Sequence, residues 1–113
     1  MTPRRIFARR HKYGAKPTEV DGIRFASKAE ASFYTQLKQL ERAGQIRNLE
    51  LQPEYPIEVN GKHICVYRAD FRFFENGERK VIDVKGVRTP EYRLKKKLVE
   101  ALYPGTKIIE VAA

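Results

Sequence analysis

The chain has 113 residues, with 23 Lys and Arg against 14 Asp and Glu and a net charge of +9. This is the size of one domain, and the excess points to a polyanion, nucleic acid before an anionic membrane surface. No apolar run is long enough to span a bilayer and the basic N-terminus lacks the core of a secretory signal, so an intracellular, cytoplasmic protein is expected. The single cysteine, Cys65, excludes an internal disulfide and reads as a small apolar strand residue. Residues 1–21 hold Arg4, Arg5, Arg9, Arg10, Lys12 and Lys16 with no clear apolar period, and read as a flexible basic arm preceding one domain over 22–113.

Ser27-Lys28-Ala29-Glu30 has the capping-box pattern that opens a helix. Ala29, Phe33, Leu37 and Leu40 recur at helical spacing as its buried stripe, and Gly44 stops it near Ala43. Ile46, Leu49 and Leu51 then lead to Pro53 as a first strand. Ile57 and Val59 reach the Asn60-Gly61 hairpin signal, and one return strand is expected from about His63 to Phe74. Asn76-Gly77 turns the chain into a strand with Val81, Ile82 and Val84. Thr89 and Pro90 open a second helix to Tyr103, with Leu94, Leu98, Ala101 and Leu102 as its expected buried face. Lys107 to Val111 is a last strand, parallel to 81–84 if the crossover is right-handed. The order αβββαβ gives an α/β class with a mixed sheet.

Three acids stand out. Asp70 and Asp83 interrupt apolar strands and lie symmetrically about Asn76-Gly77, so they are near cross-strand neighbours. Lys85 shares Asp83's face because strand side chains alternate. Two adjacent carboxylates repel unless a cation lies between them, and their oxygens suit Mg²⁺ or Mn²⁺. A lysine beside them can hold a hydrolytic water and offset charge growing on a phosphate. Glu30 could add a third carboxylate. Each acid also has a plain alternative: an Asp83–Lys85 ion pair, an Asp70 pair with Arg68 or Arg72, and a cap for Glu30.

Together these residues resemble the PD-(D/E)xK nuclease superfamily, with Ala69-Asp70 in place of its Pro-Asp, Asp83-Val84-Lys85 as its (D/E)-x-K, and Glu30 as its helix glutamate. The likeness covers most of residues 25–111. Leu51-Gln52-Pro53, Tyr67-Arg68-Ala69-Asp70-Phe71 and Val84-Lys85-Gly86 look like phage-encoded nucleases of the Holliday-junction resolvase type. The resemblance implies a restriction-endonuclease-like core and Mg²⁺ (with Mn²⁺ substituting) held by Asp70, Asp83, the Val84 carbonyl and Glu30. It also implies Lys85 acting on the water, 5′-phosphate and 3′-hydroxyl products, and a homodimer that makes two cuts in branched DNA. No small-molecule cofactor or membrane partner is expected. Phosphate contacts are expected from the arm and from Arg88, Arg93, Lys96 and Lys97, the helical ones on the side away from Leu94 and Leu98 or at its margin. Nicking, repair or restriction nucleases would use the same motif, and a non-catalytic basic nucleic-acid-binding protein would explain the charge.

Overall fold

The structure, a computed structural model, describes residues 16–113. Among the described residues it is an α+β fold of two helices, a mixed four-stranded sheet and two two-stranded sheets. Its contacts fall into two units, one ending at Gln36 and one running from Leu37 to Ala113. Of the expected arm, residues 1–15 lie outside the described part. Its end is a strand.

In the first unit, β1 (Thr18–Val20) and β2 (Ile23–Phe25) form an antiparallel hairpin. The turn is Asp21-Gly22, with φ of 54° and 75°, the doubly positive geometry of tight hairpins. Helix α1 (Lys28–Arg42) begins in this unit. Ser27 Oγ accepts from Glu30 N at 3.1 Å, and Glu30 Oε1 accepts from Ala26 N at 3.1 Å. Two amides at the helix entrance are thereby satisfied. The hairpin is tied to this first part of the helix by Tyr34, whose hydroxyl donates to Asp21 Oδ2 at 3.1 Å and whose ring lies 5.0 Å from that of Phe25. The buried stripe of α1 differs from the expected one. It runs through Glu30, Ala31, Tyr34 and Leu37, with Ala29 and Phe33 half-buried and Leu40 exposed. The polar-tipped Tyr34 and the capping Glu30 turn the helix away from its purely apolar period.

The second unit begins within α1. Gly44 (φ 78°) ends the helix as Gln45 N bonds Leu40 O and Gly44 N bonds Glu41 O, the paired closing bonds that a left-handed residue permits. Then come β3 (Arg47–Leu51), β4 (Glu54–Val59), β5 (Lys62–Arg68), β6 (Phe71–Glu75), β7 (Glu78–Lys85), α2 (Pro90–Leu102) and β8 (Ile108–Ala112). The main sheet has the order β3-β6-β7-β8, antiparallel except for the expected parallel β7–β8 pair.

The return strand expected over 63–74 is two strands in two sheets. One long hairpin bends at its middle: β3 pairs with β6, β4 with β5, and both arms break at the same level. At the break Gln52 N bonds Asp70 O at 2.9 Å and Ala69 N bonds Pro53 O at 3.1 Å. Pro53 cannot donate to a ladder, and Gln52 takes a positive φ of 51°, so β3 cannot run straight into β4.

Helix α2 starts as expected, with Thr89 Oγ1 accepting from Tyr92 N at 3.1 Å and Pro90 in the first turn. Its buried face is a correction. Tyr92 and Val99 are buried, whereas Leu94 is 58% exposed and Leu102 and Ala101 also face out. Leu98 is half-buried against the core. Tyrosines decide the rotation, burying their rings while their hydroxyls reach polar partners. Tyr103 OH donates to Pro56 O at 2.7 Å, and its ring meets Tyr55 edge-on at 5.1 Å. Tyr55, Ile57, Tyr67, Ala69, Val81, Tyr92, Val99 and Ile108 make one core between α2, the β4–β5 hairpin and a face of the main sheet. No described helix is long and apolar enough to cross a membrane.

Candidate active site

The register Phe71↔Ile82 in β6–β7 sets Asp70, one residue before β6, opposite Asp83. Asp70 N donates to Ile82 O at 3.1 Å, and Asp70 Oδ2 accepts from Val84 N at 2.7 Å. The carboxylate therefore takes the place of a strand carbonyl where β6 has not yet begun. Ile82 and Val84 present their backbone to Asp70, while Lys85 O accepts from Ala113 N on the other side of β7. In an extended strand the N–H and C=O of one residue project to the same edge, so the Val84 carbonyl also faces the Asp70 side.

Asp83 is 1% exposed. Its Oδ2 accepts from the Tyr67 hydroxyl of β5, and its Oδ1 lies 3.3 Å from Lys85 Nζ. Burial pushes the Asp83 carboxyl up to about 7, and the Asp70 charge adds to that, against the pull of Tyr67 and Lys85. Burial and the Asp83 charge push the Tyr67 hydroxyl above its ordinary range. Lys85 Nζ sits 4.4 Å from the centre of the Tyr92 ring, a cation–π contact.

Asp70, Asp83 and Lys85 thus come together. The ion pair weighed for Asp83 and Lys85 is present, and Arg68 and Arg72 pair with Glu54 and Glu50. Glu30 belongs to the first unit, where its contacts are those of a cap. Among the described residues no group of three or more His, Cys, Asp or Glu side chains is placed to hold a metal ion. The donor chemistry of the Asp70–Asp83 edge nevertheless fits a hard divalent cation. It offers oxygen only, from two carboxylates and the Val84 carbonyl, and a cation there would offset the burial, and after it the Asp70 charge, that raise the Asp83 carboxyl.

The model of a family described as "Protein of unknown function (DUF1064)" matches residues 10–112. The chain belongs to this DUF1064 family. No curated protein and no solved structure matches it.

In this DUF1064 chain, sequence reasoning missed Glu110, which β8 pairs with Asp83 in the parallel register. Its Oε2 accepts from Tyr92 OH at 2.8 Å and lies 3.3 Å from Lys96 Nζ, and its Oε1 lies 3.3 Å from Arg88 Nη1. These partners, Tyr92 foremost, hold its carboxyl below the usual range despite some burial. The signal was available: Glu110 is an acid inside an apolar strand, the same anomaly that marks Asp83. Tyr67 carried no such signal, because its role depends on the bend that brings β5 over β7.

Arg4, Arg5, Arg9, Arg10 and Lys12 lie outside the described residues, and Lys16 is exposed. Arg93 and Lys97 face solvent on α2. Lys96 lies at the margin of that face. It is half-buried and turned toward β8, because α2 buries Tyr92 and Val99 rather than its leucines.

Proposed function

We propose that this protein is a metal-dependent DNA endonuclease acting on branched DNA of the Holliday-junction type. The observation that carries the reading is the Asp70–Asp83 pair at the edge of β7 with Lys85 at 3.3 Å from Asp83. The order of α1, three antiparallel strands β3, β6 and β7, α2 and the parallel β8, with the β4–β5 hairpin inserted, is similar to the αβββαβ core of the PD-(D/E)xK nucleases.

In this reading Asp70, Asp83 and the Val84 carbonyl would hold Mg²⁺, or Mn²⁺ in its place; the resemblance adds Glu30, a role that Glu30→Gln tests. When bound, the ion polarises the scissile phosphate and lowers the pKa of a coordinated water. Asp83 would be one of the residues holding the ion, with its Oδ2 kept in place by Tyr67. Lys85 orients the attacking water and offsets charge growing on the phosphate. The Tyr92 ring keeps the ammonium beside the carboxylates. Arg93, Lys97 and the N-terminal basic residues supply phosphate contacts, and a homodimer makes the two cuts that a junction needs, in the cytoplasm of a cell or of a phage's host.

One observation favours a second reading. Both oxygens of Asp83 already have partners, as in a buried polar network of a non-catalytic nucleic-acid-binding protein. Cleavage assays on a four-way junction, a duplex, a flap and a single strand, with Mg²⁺ and with excess chelator, separate the two. Mg²⁺-dependent cutting that prefers the junction is expected. Binding without cutting on every substrate overturns the nuclease.

A further inference from the structure

A cleft of about 350 Å³ opens between β5 and α2. Strand β5 contributes Tyr67 and Arg68 to it, α2 contributes Glu91, Tyr92 and Lys95, and Lys85 comes from β7. Three cations therefore line a space that holds one carboxylate. Two of them are lightly committed. Arg68 pairs with Glu54 at 2.8 Å and Lys95 with Glu91 at 3.2 Å, both through carboxylates that are mostly exposed. Pairs of this kind are held loosely in water and exchange readily for another anion.

The walls are fastened to each other. The Tyr67 and Tyr92 rings lie 6.3 Å apart, and Tyr103 at the far end of α2 bonds Pro56 of the same hairpin. The width of the cleft is set by the core rather than by loops. Its volume is at the small end of sites that hold single small molecules, which suits one nucleotide and excludes a duplex. Lys85 connects it directly to Asp83.

We infer that this cleft seats an unpaired nucleic-acid strand, with the phosphates that flank the one presented to Lys85 taking the place of Glu54 on Arg68 and of Glu91 on Lys95. The inference deepens the proposed function and rests on it for the role of Lys85, but strand seating is measurable without cleavage. It narrows the substrate to DNA whose strand is already separated near the cut, at a branch point, a flap or a single-stranded stretch.

The test is fluorescence anisotropy of a labelled single-stranded oligodeoxynucleotide and of a blunt duplex, in EDTA, across a salt series. Wild type is compared with Arg68→Gln/Lys95→Gln, and with Lys62→Gln/Lys107→Gln as a control that removes equal charge from exposed positions outside the cleft lining. Each lost phosphate contact on a single strand lowers the salt slope by about 0.7, so the cleft variant is expected to lose about 1.4 on the single strand and much less on the duplex. The control is expected to keep the wild-type slope. A wild-type slope in the cleft variant, an equal loss on duplex, or no single-strand binding by wild type overturns the inference. If the cleft variant keeps its slope while wild type still cuts junctions in Mg²⁺, the cleft falls and the nuclease stands. If the slope falls as expected while wild type cuts nothing, the nuclease falls and the strand site stands.

Discussion

The hydroxyl of Tyr67 donates to Oδ2 of Asp83, so a residue of the β4–β5 hairpin fixes an acid of the main sheet. Tyr67→Phe keeps the ring in its place in the core and removes only this donor. A buried acceptor left without its partner costs about 1–3 kcal/mol, so a lower melting temperature is expected. Partners of metal-ligating carboxylates typically contribute 10–100-fold to affinity, and Mn²⁺ titration of Tyr67→Phe should show a loss in that range. Tyr92→Phe, whose hydroxyl bonds Glu110, is the comparison and should bind Mn²⁺ like wild type. Equal Mn²⁺ affinity in all three proteins would make Tyr67 a stabilising contact and nothing more.

Asp83→Asn should lose more than about a hundredfold in junction cleavage, beyond what a change outside the ligand set produces. Asp70→Asn should lose a similar amount, and excess chelator should silence the wild type. Junction binding should persist in both variants. Full cleavage by either one removes that acid from the chemistry.

The stability of the metal-free protein should fall as pH rises. The ordinary value for Asp83 is 3.8 and its folded value is about 7. Below pH 4 both folded and unfolded chains hold the proton, and burial carries no electrostatic penalty at this site. Between about 4 and 7 the folded chain retains a proton that the unfolded chain releases, so stability declines through that window and levels off above it. Glu41 and Glu110 shift downward, held by Lys38 and Tyr92, and act with the opposite sign at lower pH. Urea unfolding in EDTA from pH 4.5 to 8 should show the decline in wild type and a flatter profile in Asp83→Asn. Parallel profiles would remove Asp83 as its source.

Glu30→Gln separates two roles. Glutamine keeps an oxygen that can accept from Ala26 N but is a poor metal ligand, so near-native melting with strongly reduced cleavage is expected. Ser27→Ala, which removes only the cap, should cost about 1 kcal/mol with cleavage retained. Native cleavage by Glu30→Gln would leave the residue as a cap alone.

On α2, Arg93→Ala with Lys97→Ala should lower the salt slope on duplex by about 1.8, two phosphate contacts at about 0.9 each. Lys96→Ala should change that slope little, because its charge is already engaged with Glu110. A melting experiment should place its stability cost within the ~0–1 kcal/mol of a partly exposed ion pair. A larger slope change for Lys96 than for the double variant would mean that its pair opens to DNA.

Local chemistry made much of this architecture readable in advance. Turn dipeptides at Asn60-Gly61 and Asn76-Gly77, the Ser27–Glu30 cap and Thr89-Pro90 each encode geometry within four residues, and the Asp70–Asp83 pairing follows from counting outward from one such turn. What was missed depends on contacts distant in sequence. Apolar spacing favoured the leucines of α2, whereas Tyr92 and Tyr103 bury their rings because Glu110 and Pro56 wait for their hydroxyls. The stretch from His63 to Phe74 contains no Pro or Gly, and its division is imposed from across the ribbon by Gln52 and Pro53. The β1–β2 hairpin escaped notice because three-residue strands are too short to establish a period.

The bend in the long hairpin gives Asp70 two duties that chemistry can pull apart. Its side chain stands in for a missing carbonyl of β6, closing the ladder at Val84, and it also brings negative charge to Asp83. Asparagine can still close the ladder through its own oxygen but carries no charge. Alanine does neither, and strands the Val84 amide at the point where two sheets part. Under the proposed function, a chain that abandoned catalysis would therefore be free to drift to asparagine here, while drift to alanine would loosen the fold itself. This one position can report whether a related sequence has given up its chemistry or its architecture.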